Sequence, residues 1–280
     1  RDLHSFPTRR SSDLLDRDFI QATGYRDVAR LLRLVPGMQI GQERGHSQWV
    51  TYHGLGGDFP TEIQVLIDGR SVYAPNSSGG VDWSALPLTI QEIERIEIVR
   101  GTNSNAYGAN AFLGVINIIT RHSHQEHGAS GQVSAGNRGI ADAQVSWTGG
   151  GNGAGIRLSA ARTQDSGFRD VHDSRLSQTL SLRSDYRIDA RDELTLRAGY
   201  NYADNPVPDQ YLNALFPAIV ESHVTAGFGY AFNDAQTVDF SLQHAPEVSN
   251  TNPGVPAAGI PAVTSRHSQT SFQFIYSHRF

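Results

Sequence analysis

The chain has 280 residues, no cysteine, 28 glycines and a formal charge of −5. That length admits one large domain or two ordinary ones. The missing cysteines exclude a disulfide framework and thiolate metal sites, the acidity argues against a nucleic-acid binder with a basic face, and no run of about 18 apolar residues exists to form a transmembrane helix.

Residues 1–14 (RDLHSFPTRRSSDL) lack an initiating Met and the apolar core of a secretory signal. They resemble translated sequencing adapter, and the folded chain is expected from residue 15. Residues 15–120 then read as a mixed α+β unit. Arg26 to Leu34 predicts a short helix, with Val28, Leu31, Leu32 and Val35 on one side and Pro36-Gly37 ending it. In EIQVLIDGRSVY (62–73), Asp68-Gly69 between two apolar runs predicts a hairpin, because both turn residues need positive φ. LTIQEIERIEIVRG (88–101) predicts a short amphipathic helix running into a strand over Ile96–Val99. GVINIIT (114–120) is nearly continuously apolar, as a strand buried on both faces requires.

From residue 129 helical periodicity gives way to alternation between Gly-, Asp- and Asn-containing turns. Strands are expected at roughly 130–136, 140–148, 154–163, 176–187, 192–202, 222–232, 236–245 and 269–280, with 246–268 as a long external loop. Leu194, Leu196, Ala198, Tyr200 and Tyr202 share one face of their strand, and Val238, Phe240 and Leu242 share one face of theirs. In the closing SFQFIYSHRF, Phe272, Phe274, Tyr276, His278 and Phe280 form the aromatic face. Lengths near ten residues suit tilted strands crossing a bilayer. A soluble all-β sandwich alternates too; aromatics near strand ends and a terminal Phe favour the membrane.

The segment IERIEIVRGTNSNAYGANAFLGVINIIT (93–120), with LLRLVPGMQI (31–40) and VLIDGRSVY (65–73) ahead of it, resembles the plug of TonB-dependent outer-membrane receptors. The resemblance implies a small α+β domain lodged in a 22-stranded barrel of the Gram-negative outer membrane. It also implies a small-molecule ligand, outer-membrane lipid and the TonB complex as partners, and no cofactor. Glu97 and Arg100 are then candidates for pairing with the barrel wall, and Gly101, Tyr107, Gly108 and Asn117 for a structural plug motif. Ligand contacts would come from loops 42–54 and 73–83, which carry Arg44, His46, Trp49, Tyr73, Asn76 and Trp83. The TonB-coupling box would precede residue 15, where the adapter-like segment stands.

RHSHQEH (121–127) holds competent metal ligands, but its histidine spacing suits neither one helix face nor a finger. It lies where a plug-to-barrel linker (121–128) is expected, and no metal site is expected there. GTNSNAYGAN (101–110) lacks the lysine and spacing of a phosphate cradle. With no nucleophile elbow either, no enzyme activity and no catalytic residues are expected.

The other end, LRAGYNYADNPVPDQYLNALFPAIVESHVTAGFGYAFNDAQTVDFSLQHA with SFQFIYSHRF, resembles the C-terminus of long-chain fatty-acid outer-membrane transporters. These are barrels of 14 strands with a passive path for hydrophobic compounds. About eight strands satisfy neither family, and a barrel of eight is filled by its own side chains. The expected organisation is therefore a plug (15–120), a linker (121–128), receptor-type strands (129–195) and transporter-type strands (196–280) in an incomplete barrel. An artificial join is expected near Leu194–Tyr200. The functional expectation is energy-coupled uptake of a siderophore-iron or cobalamin-class ligand. The alternatives are a passive channel for fatty acids or a non-functional chimera.

Overall fold

The computed structural model describes residues 12–278 apart from 44–47, 57–59, 74–79, 109, 125–126, 190–191, 205–208, 213–218 and 234. It divides into two compact units, Arg1–Arg121 and His122–Phe280.

The first unit is α+β. Strands β1 (Ser12–Asp16), β4 (Ile63–Ile67), β5 (Arg70–Ser71), β6 (Ile93–Arg100) and β7 (Gly114–Thr120) form one sheet in the order β1-β6-β7-β4-β5. Strands β2 (Met38–Gln42) and β3 (Gln48–Tyr52) form a separate hairpin. Helix α1 (Arg17–Thr23) starts where the Asp16 carboxylate accepts the Phe19 N–H at 2.9 Å. It stops at Gly24 in the left-handed region. Helix α2 (Val28–Leu31) continues as a 3₁₀ turn, Leu32–Leu34. Strand β7 is buried on both sides: Ile116 and Ile118 join the main core with Leu31, Leu32, Ile96 and Ile98, while Val115 packs with Leu66 and Ala111. A strand covered twice needs the continuous apolar run that its sequence shows.

Several expectations are corrected here. Residues 12–14 belong to the sheet, since β1 pairs with β6 from Ser12↔Val99 to Asp16↔Arg95. An edge strand is held by main-chain hydrogen bonds, so the fold begins earlier than side-chain patterning suggests. The amphipathic helix expected after residue 88 is only a 3₁₀ turn, Ile90–Glu92, closed by a capping box between Thr89 and Glu92. The strand after it is longer than foreseen. The 42–54 stretch is partly strand rather than loop, because β3 lies within it.

The second unit is an eight-stranded antiparallel sheet of β8 (Gly128–Gly136), β9 (Ile140–Gly151), β10 (Ala154–Asp165), β11 (Arg175–Arg187), β12 (Glu193–Ala203), β13 (Ser222–Asn233), β14 (Gln236–Asn252) and β15 (Val263–His278). Neighbours in sequence are neighbours in the sheet, which is not closed into a barrel. All eight strands expected from alternation are present. The long loop expected over 246–268 is shorter, because β14 runs on past a register shift between Ala245 and Val248 and pairs again with β15. Pro246 lacks an N–H and interrupts the ladder there without ending it.

Register makes this sheet two-faced. Ile156, Ser184, Leu196, Phe228, Phe240 and Phe274 lie opposite one another across β10 to β15, and so do Leu158, Leu182, Ala198, Ala226, Leu242 and Phe272. The row between them on the other face is Arg157, Arg183, Arg197, Gly227, Ser241 and Gln273. Burial is inverted relative to a soluble domain: Phe272 is 76% exposed, whereas Arg157 is 4% exposed and Arg183 6%. Among the described residues of this unit the buried apolar side chains are only Leu212, Ile219 and Ala245. An apolar outer face over a polar inner one belongs to strands in a bilayer, not to a sandwich core.

Candidate functional site

The plug motif is built around one turn. Asp68 and Gly69 both have positive φ (49° and 81°), giving the expected β4–β5 hairpin. The Asp68 carboxylate accepts the Thr120 N–H at 2.7 Å and the Thr120 hydroxyl at 2.6 Å. The Gly69 N–H donates to Asn117 Oδ1 at 3.2 Å. Asn117 therefore ties the turn to β7, a structural role inside the plug. Gly101 and Gly108 have φ of 94° and 85°, conformations that favour glycine. Between them, Tyr107 on α3 (Ser104–Tyr107) packs on the small cluster of Leu66, Ala111 and Val115.

Of the residues proposed to meet a ligand, Arg44, His46 and Asn76 lie outside the described residues. Trp49 sits half-buried on β3 with its indole over Gly41, where a Cβ would collide with the ring. Tyr73 is half-buried, and its hydroxyl donates to the Ile63 carbonyl at 2.6 Å. Burial pushes that phenol up to about 12. Trp83 is a correction: it is 6% exposed and lies in the main core rather than on a ligand-facing loop. An aromatic side chain in a polar loop carries more area than its neighbours and turns inward.

Glu97 and Arg100 stand three residues apart on one strand and so face opposite sides of the plug sheet. Each has a partner within the plug. Arg95 Nε lies 2.7 Å from Glu97 Oε1, and Arg100 Nε lies 2.8 Å from Asp13 Oδ2.

The second unit assembles a group that no sequence spacing shows. Asp185 on β11 is fully buried. Its carboxylate accepts from Arg183 Nε (2.9 and 2.8 Å), the Ser123 N–H (2.9 Å), the Ser123 hydroxyl (2.7 Å) and the Thr195 hydroxyl (2.9 Å). This fastens Ser123, with His122 and His124 on either side, to the β11–β12 hairpin. His122 Nδ1 lies 3.4 Å from Glu193 Oε1, 4.0 Å from Asp185 Oδ2 and 3.2 Å from an Arg183 Nη2. The His122 and His124 rings are nearly parallel at 6.4 Å. Both ring nitrogens of His124 are shut off from solvent with no hydrogen-bond partner among the described residues. The sequence marked the histidines but not their carboxylates, which come from strands some sixty to seventy residues on and are aligned only by sheet register. The segment expected as a linker is thus partly docked on the sheet.

Residues 5–115 match the family model of the TonB-dependent receptor plug domain, and residues 140–269 match that of the outer membrane protein transport protein (OMPP1/FadL/TodX). Among curated proteins the chain is 30% identical over 166 residues to the vitamin B12 transporter BtuB of Vibrio vulnificus (strain CMCP6), a match covering 58% of this chain and 26% of that protein. It is 36% identical over 129 residues to an iron-regulated outer membrane virulence protein of Vibrio cholerae serotype O1, covering 44% and 19%. The chain therefore spans about a quarter or less of the curated relatives it matches. Among solved structures the fold resembles the copper transporter OprC (TM-score 0.70, 13% identity, 98% of this chain and 44% of that one). It also resembles the unliganded ferric citrate transporter FecA (TM-score 0.64, 18% identity, 96% and 44%).

Proposed function

From a chain whose residues 5–115 are a TonB-dependent receptor plug domain and whose later strands lie in the Gram-negative outer membrane, we infer a fragment of a receptor for energy-coupled uptake of a scarce ligand. The ligand class is ferric siderophore or cobalamin. The observation carrying this reading is the continuous match to the plug domain followed by hairpin-connected strands with an apolar outer face. The names of the vitamin B12 transporter and the iron-regulated protein support the ligand class. In the parent receptor, plug loops and barrel loops would capture the ligand, and TonB would draw on the proton gradient to rearrange the plug. The test is uptake of labelled cobalamin and ferric siderophore by cells carrying the full-length parent of residues 15–190. Uptake should stop when the proton gradient is collapsed, and persistence at full rate would sink the reading.

A second reading, a passive path for hydrophobic compounds, rests on the 140–269 match alone. It predicts fatty-acid entry that is indifferent to the proton gradient.

We also propose that two parent sequences meet in this chain. A match over 58% of the chain cannot end before residue 140, so the receptor and transporter similarities overlap from that point. The crossover then lies anywhere between 140 and the expected Leu194–Tyr200. An alternating strand has only two facings, so a junction between two barrels preserves facing whenever parity agrees. Strand β12 pairs without a register shift on both sides. Single long reads crossing 130–205 intact in the source genome would overturn the join.

A further inference from the structure

We infer that His122 and Glu193, with Asp185 as their anchor, form a divalent-metal site that staples the chain after the plug to the β11–β12 hairpin. The donor set comes first. His122, Asp185 and Glu193 bring one ligand atom each within 4.8 Å of one another. The 3.4 Å between His122 Nδ1 and Glu193 Oε1 is close to one edge of a tetrahedron with metal–ligand bonds of about 2.0–2.1 Å.

Asp185 plays a different part from the other carboxylate. Its oxygens are taken up by Arg183, Ser123 and Thr195, so it fixes Ser123 and through it the two flanking imidazoles. Such an outer carboxylate orients first ligands without binding the ion. His124 stands beside this pair, its ring centroid 6.4 Å from that of His122. Its ring nitrogens are both solvent-excluded and unpartnered among the described residues, beside a ring that already faces a carboxylate. Ring nitrogens shut off from water with no partner are costly unless something binds them.

The competing cation is Arg183. Its Nη2 lies 3.2 Å from His122 Nδ1, so an incoming ion displaces that contact while the Nε–Asp185 pair can stay. Imidazole with carboxylate is a donor set that zinc accepts.

Topology says where the staple would act. The starts of β8, β10 and β12 lie at one end of the sheet, together with the short 152–153 and 188–192 connections, whereas connections 166–174, 204–221 and 253–262 lie at the other. In outer-membrane barrels the short-turn end faces the periplasm. An ion bound there would hold the segment leaving the plug against the base of the sheet. This holds for either reading of the ligand.

The test uses the full chain refolded in detergent micelles and equilibrated with zinc chloride, with bound zinc measured by mass spectrometry. About one zinc per chain is expected, bound at least tenfold more weakly in both His122→Ala and Glu193→Gln, and unchanged in His267→Ala on β15. Absence of binding by the parent chain, or affinity unchanged in Glu193→Gln, overturns the site. The second result would mean adventitious capture by other histidines. Because His122→Ala could disturb folding, the unmodified chain gives an independent readout: zinc should raise its unfolding temperature, and no rise counts against the staple.

Discussion

At the scale of single residues, the polar groups that organise this chain are carboxylates with several donors. Asp68 holds a positive-φ position and accepts twice from Thr120. Asp68→Ala should destabilise the first unit by about 2 kcal/mol, through two lost charge-assisted bonds and a side chain less suited to that backbone. Asp68→Asn should lose less, and chemical denaturation of the two variants would rank them. Tyr73 carries a pH prediction. Burial raises its pKa to about 12 from an ordinary 10.0, so the neutral phenol is favoured by the fold. That contribution is complete below pH 10 and is lost as pH rises through 12. The unfolding midpoint of the first unit should fall over that window, and fall less in Tyr73→Phe. Asn117 accepts from the Gly69 N–H, and Gly101 and Gly108 hold positive φ, conformations suited to those residue types. The sequence misjudged Trp83 because a loop's composition does not tell which side chain turns inward.

At the scale of elements, period-two patterning carried most of the information. Burial on both faces was legible in GVINIIT, and eight alternating segments gave eight strands. Short elements were less legible: the stretch after residue 88 has helical spacing but forms only a capped 3₁₀ turn, since one turn is too short for helix propagation. The 122–124 segment was invisible as a docked element because its partners are non-local. Gly155 opens its seat: a Cβ there would stand 2.6 Å from the Ser123 carbonyl carbon and oxygen. Gly155→Ala should therefore dislodge Ser123 from Asp185 while leaving the β9–β10 turn paired. Faster amide exchange at Ser123, with unchanged exchange at Leu158, is the expected signature.

At the scale of the molecule, the two units obey opposite rules of burial. The first has an ordinary apolar core, so residues 12–121 produced alone should be soluble and unfold cooperatively in urea. The second exposes Phe272, Phe274 and Leu196 while burying Arg157, Arg183 and Asp185. Its sheet ends at β8 and β15, which leaves edge groups that hydrocarbon cannot satisfy. Residues 122–280 should precipitate from water and remain dispersed in detergent. A monodisperse, detergent-free preparation would contradict the membrane assignment.

By itself the sequence determined the class of each half, because hydrophobic periodicity and turn chemistry are local properties that survive without knowledge of the partners. It also determined the plug motif and the strand count. Only the tertiary structure decided that residues 12–14 enter the sheet, that Trp83 is core, that Glu97 and Arg100 have partners inside the plug, and that His122 meets Glu193. Those outcomes depend on which strands lie side by side and in which register. Register is a property of paired chains, fixed by contacts between residues far apart in sequence.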